Sequence, residues 1–68
     1  MVEAPHRRDR LVGSKWSVVE VENRRKHWEV VELYGAEECV LRAVLDGHRE
    51  RLFWRELRDR DRWVPGWV

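Results

Sequence analysis

The chain has 68 residues, with 14 lysines and arginines, 13 acidic residues and a formal net charge of +1. This length allows one domain at most, and the near-balance of charge excludes a global electrostatic reason to bind nucleic acid. The single cysteine, Cys39, excludes disulfide bonds and a cysteine-rich zinc site. Large aromatic rings are the remaining means of stabilising so small a fold, and the chain has five tryptophans: Trp16, Trp28, Trp54, Trp63 and Trp67.

The ends of the chain carry no targeting signal that we recognise. No apolar run approaches the roughly 20 residues that span a bilayer, and the charged N-terminus lacks the apolar segment of a signal peptide. Together with a free thiol, these features predict a cytoplasmic protein. Residues 1–10 are polar and aperiodic, which predicts a flexible N-terminal arm before a single small β domain at residues 11–68.

Two strands are expected after the arm, at residues 15–21 and 28–34, with polar residues 23–26 as the hairpin loop between them. In the first strand, Trp16 and Val18 fall on one face while Val19 and Val21 fall on the other. This slip in the period-two pattern predicts either a β-bulge or a curved strand that is buried on both faces. In the second strand, alternation places Tyr34 on the same face as Trp28 and Val30.

The third strand, 39–45, alternates most clearly, and Asp46-Gly47 is the hairpin signal before a fourth strand at 49–54. A two-residue loop would place Leu41 opposite Leu52. A four-residue loop would place Ala43 opposite Leu52 and Leu41 opposite Trp54. We prefer the second register because it pairs more apolar residues.

Residues 55–58 read as one helical turn, and Pro65-Gly66 predicts a turn between two tryptophans at the end of the chain. Four strands in meander order must hide their edges, either by closing into a barrel or by being covered. The predicted fold class is therefore all-β. Our first choice is a small SH3-like or Tudor-like barrel, and our second is a four-stranded antiparallel meander capped by the short C-terminal helical turn.

The tryptophans have two interpretations. Packing in the core is the default, because each buried ring removes about 200 Å² from water. Alternatively, exposed rings stack on bases or hold a cation, with arginines of the 49–62 stretch as phosphate contacts. Acidic residues interleave with those arginines, which favours a solvated surface laced with salt bridges. The candidate ligand-binding residues under the second interpretation are Trp28, Tyr34, Trp54, Trp63, Trp67, Arg55 and Arg58.

No motif supports catalysis, a metal or a cofactor. Gly13-Ser14-Lys15 lacks the second glycine and the following helix of a phosphate loop. Cys39 alternates with apolar residues, which predicts a buried and unreactive thiol, and the carboxylates include no pair set apart for acid–base chemistry. The histidines have no partner at metal-ligand spacing: they are His6, His27 and His48. We therefore expect no enzymatic activity and no cofactor.

Several rare residues at fixed spacing resemble a family of short tryptophan-rich bacterial proteins of unknown function. The resemblance runs from Leu11 to Trp67, with Ser17 and Trp28 where many members carry Thr and Phe, and without the proline common near Val21. It implies a stand-alone bacterial domain, found in proteobacteria and cyanobacteria, and brings no known activity or ligand. The segments that carry it are Leu11-x-Gly13-Ser14-Lys15-Trp16-Ser17, His27-Trp28-x-Val30, Leu41-x-Ala43-Val44-Leu45, Trp54-Arg55-Glu56-Leu57-x-Asp59 and Trp63-x-Pro65-Gly66-Trp67.

Two functions remain as hypotheses. The first is a cytoplasmic, non-enzymatic binding module that uses rings and arginines to hold a protein segment or single-stranded nucleic acid, away from any membrane. The second is a structural or interaction protein, acting as a homodimer through a strand edge or a ring patch, with the tryptophans purely core.

Overall fold

A computed structural model describes residues 10–68; residues 1–9, and with them nearly all of the predicted arm, lie outside the described residues. The described chain is all-β apart from one 3-10 turn, Trp54–Arg58, and it contains no helix long and apolar enough to cross a membrane. Its strands pair antiparallel in one open sheet of order β4-β3-β2-β1-β5. They are β1 Lys15–Glu22, β2 Arg25–Tyr34, β3 Glu38–Ala43, β4 Arg49–Phe53 and β5 Trp63–Pro65.

The all-β class, the four-strand meander and the short turn at 55–58 are confirmed, but the count of four strands is wrong. Residues 63–65 form β5, which pairs with β1 through Ser17 opposite Val64 and Val18 opposite Trp63. We had expected only a Pro-Gly turn there. A strand of three residues is too short to be recognised by alternation in the sequence. It becomes evident only from its pairing with β1 in the structure.

Of the two explanations for the slip in β1, the structure supports the bulge, and a second bulge lies in β2. The β1–β2 register shifts between Ser17 and Glu22. In the β2–β3 pair, Val30 lies opposite Leu41 but Glu32 lies opposite Val40, so β2 carries one extra residue. That insertion reverses the facing of every residue after it.

The β2 bulge makes our placement of Tyr34 wrong. Beyond the bulge, Leu33 lies opposite Cys39 and packs against the core, while Tyr34 turns outward and is half exposed. A one-residue insertion is invisible in the hydrophobic pattern here, because Val31 and Leu33 are both apolar.

Both registers considered for the β3–β4 hairpin are wrong. The structure pairs Cys39 with Leu52 and Leu41 with Glu50. The reason is that β3 ends at Ala43 rather than at Leu45. Residues 44–47 turn the chain, and Gly47 donates its N–H to the Ala43 carbonyl at 2.9 Å. Leu45 continues the apolar alternation by sequence but is exposed in the loop.

The core lies on one face of the sheet and is closed by the 3-10 turn, whose Leu57 is buried. Trp28 and Trp63 meet edge to face with ring centroids 6.3 Å apart, a favourable arrangement for aromatic pairs. Leu33, Leu52 and Trp54 pack against this core while staying partly exposed. The buried hydrophobic residues are Leu11, Trp16, Trp28, Val30, Cys39, Leu41, Ala43, Leu57 and Trp63.

Candidate functional site

The structure separates the seven predicted ligand-binding residues. Trp28 and Trp63 belong to the core, with 6% and 7% of their surface exposed. Their edges nevertheless line a half-open cavity of about 470 Å³. The other five predicted residues do not line it. Three of these five are aromatic, and each of their rings lies near a cation of the chain.

Two arginines lie over Trp54, with guanidinium carbons 5.8 Å (Arg55) and 4.9 Å (Arg58) from its ring centroid. Trp54 is half-buried against the core, and both arginines lie near the ring. This arrangement places three of the predicted residues together. The cation–π position over the ring is already filled by the chain itself.

Tyr34 and Trp67 are the more exposed rings, and each also has a cation. The Arg51 guanidinium lies 4.4 Å from the Tyr34 ring centroid, and the Lys15 ammonium lies 5.2 Å from that of Trp67. Trp67 is further fixed because its indole N–H donates to the Trp28 carbonyl at 2.9 Å. The two rings belong to different surfaces, the outer face of β2 and the C-terminal segment.

The cavity lies between the free strand β4 and the hairpin formed by β1 and β2. Its apolar lining comes from Val18 on β1, Trp28 on β2, Leu52 and Phe53 on β4, and Trp63 on β5. The strands converge there because the chain returns from β4 to β5, at the other end of the sheet, through the short 3-10 turn.

The polar lining of the cavity is strongly acidic. Six carboxylates face three arginines, a formal excess of three negative charges. The carboxylates belong to Glu20, Glu22, Glu38, Glu50, Glu56 and Asp61, and the guanidiniums to Arg25, Arg51 and Arg62.

Each of the three arginines is already paired with a carboxylate. Arg51 lies 3.2 Å from Glu38, Arg62 lies 3.2 Å from Glu56, and Arg25 lies 2.9 Å from an acid outside the lining, Asp46. The uncompensated charge is therefore left mainly on the acids of β1 and β4. The three arginines of the lining are held in ion pairs, so the remaining carboxylates give the cavity its negative charge.

Sequence reasoning missed these acids. Glu20 and Glu22 stand two residues apart on a strand, which places them on one face, and this spacing was the available signal. Glu50, Glu56 and Asp61 come from different elements, so no spacing along the chain shows that they meet.

The Asp46 carboxylate anchors the β3–β4 loop beside the cavity. It accepts the backbone N–H of His48 at 3.0 Å and the Arg25 guanidinium at 2.9 Å. The backbone hydrogen bond from His48, together with the hydrogen bond and charge of Arg25, holds the pKa of Asp46 below its usual range against the opposing effect of burial. The contact ties the β3–β4 loop to the start of β2.

Cys39 is buried, as predicted. Burial, with a smaller contribution from the Glu56 carboxylate, raises the pKa of this thiol to about 11. The thiol is therefore neutral near pH 7 and is a poor nucleophile there.

The histidines and the Gly-Ser-Lys segment have structural contacts in residues 10–68. His27 Nε2 lies 2.8 Å from the Val68 carbonyl oxygen, and His48 Nε2 lies 3.3 Å from Glu50 Oε1. Gly13 donates its N–H to the Val30 carbonyl at 2.7 Å, at the entry to β1. Within those residues no three His, Cys, Asp or Glu side chains come together as a metal site, and His6 lies outside them.

The fold and the cavity together define a class of protein: a small all-β chain with an open antiparallel sheet, whose free edge borders an acidic cavity with an aromatic lining. The chain belongs to the family described as tryptophan-rich protein (DUF2389), whose model matches residues 14–68. This match confirms the resemblance to tryptophan-rich proteins of unknown function. No curated protein and no solved structure matches the chain.

Proposed function

We propose that the protein is a non-enzymatic binding module that holds a basic segment of another protein in the acidic cavity. The observation that carries this proposal is the excess of six carboxylates over three arginines around an apolar lining that includes Trp28 and Trp63. Lysine and arginine side chains suit such a site, because their aliphatic stems pack on apolar surface while their charged ends reach carboxylates.

The same charge disfavours single-stranded nucleic acid as the occupant of this cavity. Phosphates are repelled by uncompensated carboxylates, and the three arginines of the lining are engaged in ion pairs. Arg55 and Arg58 lie over Trp54, outside the cavity. Of the two ligands expected from the sequence, we therefore favour the protein segment.

The strand arrangement supports the barrel-like part of our fold prediction. β5 extends the sheet beyond β1, β4 forms the opposite end, and only the 3-10 turn and a few residues separate them in the chain. The cavity is lined from both ends of the sheet. We infer an SH3-like barrel left open at this point, in a cytoplasmic protein, for which the free thiol of Cys39 is supporting evidence.

The proposal is tested by selecting a random decapeptide display library on the immobilised protein. We expect lysine and arginine to be enriched and the selected peptides to bind more weakly as salt increases. The double variant Glu20→Gln/Glu22→Gln should bind them about 5- to 30-fold more weakly, at roughly 0.5–1 kcal/mol for each lost charge pair.

The matched control is Glu29→Gln/Glu32→Gln. It removes the same charge from β2 side chains that do not line the cavity and that face Arg42 and Arg49 instead. This control should bind like the unaltered protein. Selection of no basic sequence, equal loss in both double variants, or displacement of the peptides by a single-stranded dT decamer would overturn the proposal.

A further inference from the structure

We propose that the basic segment binds as an additional β-strand on the free edge of β4, extending the sheet across the mouth of the cavity. This mode of binding rests on the proposed function and specifies the backbone conformation of the partner. β4 is the terminal strand of the sheet, and no strand of residues 10–68 lies on its other side.

Two hydrogen bonds at the ends of β4 define which of its backbone groups point outward. At one end, Ala43 donates its N–H to the His48 carbonyl at 2.8 Å; at the other, Trp54 donates its N–H to the Glu37 carbonyl at 3.0 Å. Both bonds involve even-numbered residues of the β4 segment. In an antiparallel pair, hydrogen-bonded positions alternate along the strand.

Glu50 and Leu52 therefore direct their main-chain groups to β3, while Arg49 and Arg51 direct theirs away from the sheet. Phe53 follows the same alternation. Its N–H donates to the Glu56 carboxylate at 3.1 Å and not to β3. The outward N–H of Phe53 is thus already bonded to a side chain, whereas the outward backbone groups of Arg49 and Arg51 are available to a further strand.

The cavity lies along this edge and not on one face of the sheet. Its lining includes four consecutive residues of β4, 50–53, whose side chains alternate between the two faces. Val18, Glu20 and Glu22 of β1 form the opposite wall. An extended segment lying against β4 would present every second side chain to these carboxylates.

The two faces of β4 differ in charge, which sets the pattern expected in the partner. Glu50 and Leu52 lie on the core face of the sheet, opposite the buried Leu41 and Cys39. Arg49 and Arg51 lie on the other face, where they pair with Glu32 and Glu38, and the Arg51–Glu38 pair borders the cavity from that side. Cross-strand neighbours on one face favour opposite charges and disfavour like charges. Basic residues should therefore occupy alternate positions of the bound segment only.

The same charges argue against a second copy of this chain as the occupant. Antiparallel pairing of two β4 edges would bring Arg49 and Arg51 of one chain beside the same residues of the other. Charged side chains on an edge strand are a common means of preventing such self-pairing. The edge accordingly fits a heterologous segment with one basic and one neutral or acidic face.

Amide hydrogen exchange, measured by NMR on the full chain with and without the consensus decapeptide selected above, tests this mode. The Arg51 amide should exchange rapidly in the free protein and at least tenfold more slowly at saturating peptide. The amides of Glu50 and Leu52, bonded to β3, should be protected in both states. Arg49, at the end of the strand, should follow Arg51 with a smaller change.

A matched pair of variants gives a second readout. Arg51→Pro removes the outward N–H at a position where an edge strand tolerates proline, and Arg51→Ala removes the same side chain but keeps the N–H. We expect at least a tenfold loss of peptide affinity for the proline variant relative to the alanine variant. Circular dichroism confirms that both are folded.

The outcomes separate the mode of binding from the function. Charge-dependent peptide binding without protection of the Arg51 amide, or with equal affinities in the two Arg51 variants, would overturn strand addition and leave the proposed function intact. Failure to select basic peptides would overturn both. Protection of Arg51 without peptide, rising with protein concentration alongside dimerisation in sedimentation, would assign the edge to a second copy and contradict the inference.

Discussion

At the scale of single residues, Ser17 is the polar side chain that links β1 to the C-terminal segment. It is the one buried polar residue of the described chain, with 1% of its surface exposed. Its hydroxyl donates to the Gly66 carbonyl at 2.8 Å and accepts the Val68 N–H at 3.0 Å. One side chain on β1 thereby holds the C-terminal segment that carries Trp67.

Replacing Ser17 by alanine should lower the free energy of unfolding by about 1–3 kcal/mol, because the buried Gly66 carbonyl loses its donor. Urea unfolding followed by far-UV circular dichroism measures the change. The urea concentration at the midpoint should fall, while the dependence of the free energy of unfolding on urea concentration stays the same. Ser17→Thr is the matched control, since it keeps the hydroxyl. A loss as large in the threonine variant would contradict this role of the hydroxyl.

The indole N–H groups of two buried tryptophans also have hydrogen-bond acceptors. The indole N–H of Trp16 donates to Ser14 Oγ at 2.9 Å, and that of Trp28 donates to the Arg25 carbonyl at 3.0 Å. Both bonds span three residues or fewer, so each indole N–H finds its acceptor close by in the chain. Burial of these rings therefore leaves neither N–H unpaired.

At the scale of elements, the β1–β2 hairpin turns through only two residues, Asn23 and Arg24, with φ of 54° and 64°. Glu22 lies opposite Arg25 across this turn, so β2 begins inside the loop that we predicted at 23–26. Two positive φ angles are the property of a type I′ turn, which matches the twist of the flanking strands. The hairpin carries Glu20 and Glu22, so its turn also positions one wall of the cavity.

Arg24 is the strained residue of that turn, because a side chain with a Cβ atom disfavours the left-handed region. Arg24→Gly should raise the free energy of unfolding by about 0.5–1 kcal/mol. Thermal unfolding compares it with Arg24→Ala, which removes the same charge and keeps the Cβ atom. Equal melting temperatures for the two variants would argue against strain at this position.

At the scale of the whole molecule, the five tryptophans divide by depth. Trp16, Trp28 and Trp63 are buried in the core, Trp54 is half-buried at its border, and Trp67 is 43% exposed. The rings thus serve chiefly as the core that a chain of this size needs. The proposed binding surface draws on the edges of two core rings and on carboxylates.

Acrylamide quenching of tryptophan fluorescence should therefore show a minor accessible fraction and a major protected one. Trp67→Phe should remove most of the accessible fraction, since Trp67 contributes the largest exposed indole. Trp54→Phe is the matched comparison and should remove less, because Arg58 and the core cover that ring. Quenching that stays unchanged in the Trp67 variant would contradict the depth assigned to these rings.

The acidic cavity belongs to this scale as well, because its lining comes from both ends of the sheet. Glu20, Glu50 and Asp61 come from three separate parts of the chain and line one cavity. Their carboxylates make the cavity locally acidic, which the net charge of +1 does not show, and this local charge is the basis of the proposed binding of basic segments.

The sequence by itself determined the all-β class, the order of the first four strands, an irregularity in β1, the buried Cys39 and the family. These depend on alternation, turn residues and rare residues at fixed spacing, all of which are read within one strand or one turn. Only the tertiary structure decided the facing of Tyr34, the β3–β4 register, the pairing of β5 and the acidic cavity. Each of these depends on which distant segments pair, and a shift of one residue in that pairing changes the face of a strand without changing its local pattern.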